Sequence, residues 1–106
     1  MSRQKLSPQK AEELRASLNG WQFSDDKEFI EKEFTFADFK QAWAFMTAVA
    51  EKAEEMDHHP NWSNVYNHVH ISLTTHDQGG LSQLDFDMAT FMDQLEASSA
   101  SQKSIN

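Results

Sequence analysis

Two adjacent histidines meet a proline in Glu54-Glu55-Met56-Asp57-His58-His59-Pro60-Asn61-Trp62, and a further histidine returns in Thr74-Thr75-His76-Asp77. Imidazole changes protonation near neutrality, so a histidine gives or takes a proton at working pH with little tuning by its surroundings. Neighbouring residues point apart unless the backbone bends, and Pro60 at a helix exit supplies a bend. Glu54 and Asp57 lie three apart on one helical turn, and His58 follows Glu54 by four. That spacing sets carboxylates beside imidazoles, which favours the protonated ring and fixes a tautomer. The expectation is that the two histidine segments meet in space and form a site for acid–base chemistry.

Each of these features also has a purely structural reading. One histidine of the pair can cap the helix C-terminus through the dipole while the other is exposed. Glu54 and Asp57 can be ordinary surface acids. Thr74-Thr75-His76-Asp77 lies where a strand gives way to a loop, which suits substrate contacts but equally a hydrogen-bonded strand end. Trp62 is either core or a flat wall for a planar ligand. As metal ligands, His58, His59, His68, His70, His76 and Asp57 suffice in number, and His68 and His70 share one strand face. The usual spacings are missing, however, with no His-Glu-x-x-His and no Cys.

The elements that must position these residues follow from hydrophobic period and turn chemistry. Ser7-Pro8 opens a helix carrying Ala11, Leu14 and Leu18 on one stripe, and Asn19-Gly20 stops it. Residues 21–24 and 28–36 read as a hairpin around Asp25-Asp26-Lys27, with Ile30, Phe34 and Phe36 inward and Lys32 snorkelling from the same face towards an edge. Residues 37–56 form the longest helix, whose expected buried face runs through Phe39, Trp43, Met46, Val49 or Ala50, Ala53 and Met56. Pro60 ends it near residues 56–58. A second hairpin spans 62–66 and 68–75, turning near Asn67, with Val69, Ile71 and Leu73 on one face and His68, His70, Ser72 and Thr74 on the other. Ser82 and Asp85 make a capping box for a last helix presenting Leu84, Met88, Phe91 or Met92, and Leu95, which by itself explains Asp85.

The order predicts an α+β domain over residues 1–96: a four-stranded antiparallel sheet with three helices on one face, in the order α-β-β-α-β-β-α. Residues 97–106 are Ser-rich and are expected to form a flexible tail. A sheet of this size keeps two open edges, which favours pairing across a two-fold axis and hence a homodimer.

Composition narrows the function. The chain has 106 residues, enough to bury roughly two-thirds of its unfolded surface in one core. Its formal net charge of −8 disfavours direct contact with nucleic acid or an anionic membrane, both of which are held by Lys and Arg. With no Cys there is neither a disulfide nor a thiolate site, and no apolar leader or membrane-length run occurs, so a cytoplasmic protein is expected.

The 54–62 segment, together with Asn64-Val65-Tyr66-Asn67, Val69-His70-Ile71-Ser72-Leu73-Thr74-Thr75-His76 and Gly80-Leu81-Ser82, closely resembles the pterin-4a-carbinolamine dehydratases. The likeness extends upstream through Phe34-Thr35-Phe36-Ala37-Asp38-Phe39 and Phe45-Met46, and covers nearly everything from Trp21 to Leu95. Animal members of that family also serve as the dimerisation cofactor of a homeodomain transcription factor. His68 departs from the animal pattern, where Lys is common, as does Gln78-Gly79-Gly80, where Cys-Ala-Gly is usual.

The resemblance implies a metal-free, cofactor-free lyase. Its substrate would be 4a-hydroxytetrahydropterin and its product quinonoid dihydropterin, recycling the cofactor of aromatic amino-acid hydroxylases. By the same resemblance His58, His59 and His76 are the active-site histidines, with Glu54, Asp57 and Asp85 as accompanying acids. Pro60, Trp62, Thr74, Thr75, Asp77 and Gln78 correspond to the pterin-binding surroundings. The alternative is an interaction protein working through its long helix, a dimer or tetramer partner or a coactivator-type module. Exposed Phe or Met on the outer face of that helix would favour it.

Overall fold

A computed structural model of the chain describes residues 4–105, with side chains over 4–98. The elements are α1 (Pro8–Ala16), β1 (Gln22–Phe23), β2 (Ile30–Thr35), α2 (Phe39–Met56), β3 (Asn61–Val65), β4 (His68–Leu73), a 3₁₀ turn (His76–Gln78) and α3 (Gln83–Ile105). All strand pairs are antiparallel, in the order β1-β2-β4-β3. This is the α-β-β-α-β-β-α domain that the sequence predicts. The expected flexible tail over 97–106 falls mostly on residues whose side chains lie outside the described ones.

Local chemistry accounts for most element ends. The Ser7 side chain accepts the Lys10 N–H at 3.2 Å and Pro8 occupies the first helical position of α1. Ser82 caps α3 in the expected box, its own N–H donating to Asp85 Oδ2 at 2.9 Å. On β4 the alternation is clean: Val69, Ile71 and Leu73 are buried against the helices while His68 and His70 are exposed on the open face. Thr74 breaks that pattern. The strand stops at Leu73, so Thr74 is buried and its hydroxyl donates to the Glu28 carbonyl at 2.6 Å.

The core gathers Trp21, Ile30 and Phe34 from the first hairpin with Val69, Ile71 and Leu73 from β4 and Met88, Ala89 and Met92 from α3. Phe86 also lies inside, beyond the face anticipated for α3. Lys32 shares the inward face of β2, and its ammonium is met by Asp93 Oδ1 at 2.9 Å, the Asn19 carbonyl at 2.7 Å and the Phe34 ring at 4.6 Å. The charge therefore ends on a carboxylate of α3 that also accepts from the Trp21 indole at 3.1 Å.

α2 departs from expectation at its start. Its core face is Ala42, Phe45, Val49 and Ala53, whereas Phe39 and Trp43 are 45% and 57% exposed and stack on each other at 6.0 Å. Both stripes obey the helical repeat, so periodicity cannot choose between them. Packing does: the Phe45 ring sits 4.9 Å from Phe34 and 5.0 Å from Phe36, and Ala42 is small enough to be fully buried a turn before it. Among the described residues no helix is long and apolar enough to cross a membrane.

Candidate active site

The site begins where α2 stops. Asp57 adopts the left-handed conformation, with φ 53 and ψ 45. The His58 N–H returns to the Ala53 carbonyl at 3.0 Å and the Asp57 N–H to the Glu54 carbonyl at 3.3 Å. This pair of bonds is the Schellman closure usually built on glycine. The reversal, followed by Pro60, separates two imidazoles that are neighbours in the chain. His58 is turned inside and is 5% exposed, whereas His59 stays in solvent.

Inside, His58 Nε2 lies 2.6 Å from Asp85 Oδ1, on a carboxylate that is fully buried. The other oxygen, Oδ2, accepts from the Ser82 N–H and from the Thr75 hydroxyl, both at 2.9 Å. Asp85 is thus the capping acid of α3 through one oxygen and the partner of His58 through the other. Thr75 immediately precedes His76, so Asp85 links the segment bearing His58 to the one bearing His76. A carboxylate accepts and does not donate, so His58 carries its proton on Nε2 whenever the ring is neutral. Nδ1 of that ring has no hydrogen-bond partner among the described residues.

Glu54 does not reach His58 despite the spacing of four. The helix has ended by then, and Glu54 Oε2 instead meets His59 Nε2 at 2.7 Å in an exposed pair. His76 opens the 3₁₀ turn and is exposed, as are Asp77 and Gln78 beside it. Its ring makes no hydrogen bond to a described residue and lies in a T-shaped contact with the Phe29 ring at 6.4 Å. The turn is pinned at its base by the Thr75 N–H on the Gly80 carbonyl at 2.9 Å. Pro60 is half-buried, and Trp62, also half-buried, packs against the core.

Phe29 and Ser82 are additions that sequence reasoning did not place at the site. Ser82 was legible only as a cap, and its second connection, Oγ to Thr75 Oγ1 at 2.6 Å, joins residues seven apart through a turn. As to metals, no three or more His, Asp or Glu side chains among the described residues are grouped to hold an ion. His68 and His70 instead face glutamates on the open side of the sheet, Glu33 at 3.0 Å and Glu31 at 3.6 Å.

The fold is thus an antiparallel α+β domain with a buried imidazole–carboxylate pair and, on the segment that Thr75 ties to it, an exposed imidazole. Residues 4–95 match the family model described as pterin 4 alpha carbinolamine dehydratase, and the chain belongs to that family. A Paraburkholderia xenovorans protein named "Putative pterin-4-alpha-carbinolamine dehydratase" is 45% identical over 93 residues, covering 88% of this chain and 97% of that protein. A Dinoroseobacter shibae protein of the same name is 50% identical over 94 residues, covering 87% and 97%. Among solved structures, a Brucella melitensis transcriptional coactivator/pterin dehydratase superposes with a TM-score of 0.85 at 40% identity, covering 87% of this chain and 98% of that one. A pterin dehydratase-like protein identified as a RuBisCO assembly factor in the alpha-carboxysome matches with a TM-score of 0.64 at 25% identity, covering 74% and 90%.

Proposed function

We propose that the chain dehydrates 4a-hydroxytetrahydropterin to quinonoid dihydropterin and water, without a metal, by general acid–base catalysis from His58, His59 and His76. The observation that carries this reading is the buried 2.6 Å contact between His58 Nε2 and Asp85 Oδ1. It leaves a neutral His58 with an unprotonated Nδ1 suited to act as a base. The reaction removes one proton from a ring nitrogen, whose electron pair forms the new C=N bond as the C4a–O bond breaks. The second imidazole, protonated, gives its proton to the departing hydroxide, so water leaves and the two histidines end with their protons exchanged. His76, whose exposed ring makes no hydrogen bond to a described residue, is the natural second member, and His59 with Glu54 binds substrate or shares that work. Asp57 contributes through its left-handed turn, and Pro60, Trp62, Thr74, Thr75, Asp77 and Gln78 form the surroundings of the pterin.

Such a protein would work in the cytoplasm, recycling the cofactor of aromatic amino-acid hydroxylases. The test is turnover of freshly generated 4a-hydroxytetrahydropterin with and without a chelator. Equal acceleration in both supports the reading; no acceleration over the uncatalysed rate, or loss of activity on chelation, defeats it.

A second reading rests on a separate observation, the exposed Phe39–Trp43 stack on the outer face of α2. Apolar surface of this kind suits a helix–helix contact, either in a homodimer or homotetramer or with another protein. The solved relative described as a transcriptional coactivator/pterin dehydratase is consistent with both readings on one fold.

A further inference from the structure

The hydrogen bonds behind Asp85 can be given directions, because only one assignment satisfies every group. Asp85 Oδ2 is an acceptor, so the Thr75 hydroxyl must donate to it. Thr75 Oγ1 has then spent its only proton, and its 2.6 Å contact with Ser82 Oγ requires Ser82 to donate. Ser82 Oγ in turn accepts the Leu84 N–H at 3.3 Å at the start of α3. The donations run one way, from the α3 backbone through Ser82 and Thr75 to the Asp85 carboxylate, which accepts the His58 Nε2–H from its other side. Thr75, Ser82 and Asp85 are all buried, and each of their side-chain oxygens is hydrogen-bonded. The turn bearing Ser82 is itself strapped from outside by the Leu6 N–H on the Leu81 carbonyl at 2.8 Å.

We infer that Thr75 and Ser82 are positioning residues: their hydroxyls form a one-way relay that orients the Asp85 carboxylate and thereby holds His58 as the Nε2–H tautomer. This rests on the proposed dehydration for its kinetic consequence, but not for its structural one. It also reassigns Thr75 from substrate contact to support, since its hydroxyl has no proton left to offer a ligand. Bonds aligned in one direction polarise one another, and a partly satisfied buried network is unfavourable, so removing one hydroxyl loosens the whole relay.

The experiment compares Thr75→Val, Thr75→Ser and Ser82→Ala in the full chain. It measures kcat and KM for 4a-hydroxytetrahydropterin and the His58 tautomer by long-range proton–nitrogen-15 NMR. Thr75→Val keeps the volume and removes the proton; it is expected to lower kcat about 10-fold to 10²-fold, with KM changed less than about 3-fold, because misplacement of a catalytic group is felt in the chemical step. Thr75→Ser restores the hydroxyl and should recover kcat to within about 3-fold of the parent. In the parent, His58 should be the Nε2–H tautomer, and Thr75→Val and Ser82→Ala should mix in the other form. A rise in KM with unchanged kcat in Thr75→Val would mark a substrate contact and overturn the assignment. So would an Nδ1–H tautomer in the parent protein, a result that needs no variant to fold and no turnover to read. If the parent lacks dehydratase activity but shows the expected tautomer and its loss in Ser82→Ala, the proposed reaction fails while the relay stands.

Discussion

Three histidines that look alike as residue types occupy three different surroundings. His58 is buried on a carboxylate, His59 is paired with Glu54 in solvent, and His76 is exposed with its ring in a T-shaped contact with Phe29. An exposed pair contributes little, because water screens it and two long side chains must be held still. Replacing His58 or His76 by Ala is therefore expected to lower kcat on the order of 10²–10⁴-fold, the usual worth of a positioned proton transfer. His59→Ala should do less and act partly through KM, read from steady-state dehydration kinetics. Undiminished kcat in His76→Ala would remove it from the proton-transfer pair. Asp85→Asn preserves shape but offers an amide to His58 and to both Oδ2 donors, so it should lose activity comparably to His58→Ala.

At the scale of elements, the exit of α2 matters most. An L-residue in the left-handed region costs about 1 kcal/mol or more, and glycine avoids that cost. Comparing Asp57→Gly with Asp57→Ala removes the carboxylate from both and isolates the backbone. The glycine variant should be the more stable by about 1 kcal/mol, a difference of roughly 4 °C in melting temperature for a domain of this size. Equal melting temperatures would mean that the turn is not under strain.

The β1–β2 loop supplies a pH-dependent term. Asp26 is held below the ordinary carboxyl value of 3.8, first by the Ser24 hydroxyl and then by the Glu28 N–H. Its folded value lies under its unfolded one, so the stabilisation is complete above the unfolded value and is lost as pH falls through the folded one. Asp26→Asn should therefore differ in melting temperature from the parent by a constant amount near neutrality. The gap should change only on the acid side, below about pH 4.

For the molecule as a whole, the surfaces suited to meet other molecules are its exposed apolar patch and its open strand edges. Phe39 and Trp43 form an exposed aromatic stack on one side of α2, and β1 and β3 are the outer strands of the sheet. If α2 forms a helix–helix contact, Trp43→Glu should lower the mass measured by light scattering while leaving the melting curve of the subunit largely intact. An unchanged mass would clear this face of any part in self-association. The net charge of −8 acts at the same scale, disfavouring nucleic acid as the partner.

Much of the architecture was readable along the chain because its causes are local. The Ser7 and Ser82 caps, the stop imposed by Pro60 and the two-residue alternation of β4 each depend on neighbours a few positions away. The resemblance of the histidine and threonine segments to one family was readable in the same way. What the linear order could not decide was anything set by packing or by distant partners. The face expected for α2 through Phe39 and Trp43 was wrong, because the Phe34 and Phe36 rings pack on Phe45 and bring Ala42 and Phe45 inside instead. His58 follows Glu54 by four, yet the left-handed turn leaves Glu54 with His59 and brings His58 to Asp85, 27 residues further on. Spacing predicts contacts only while the backbone repeats, and the chemistry of this site sits where the repeat breaks.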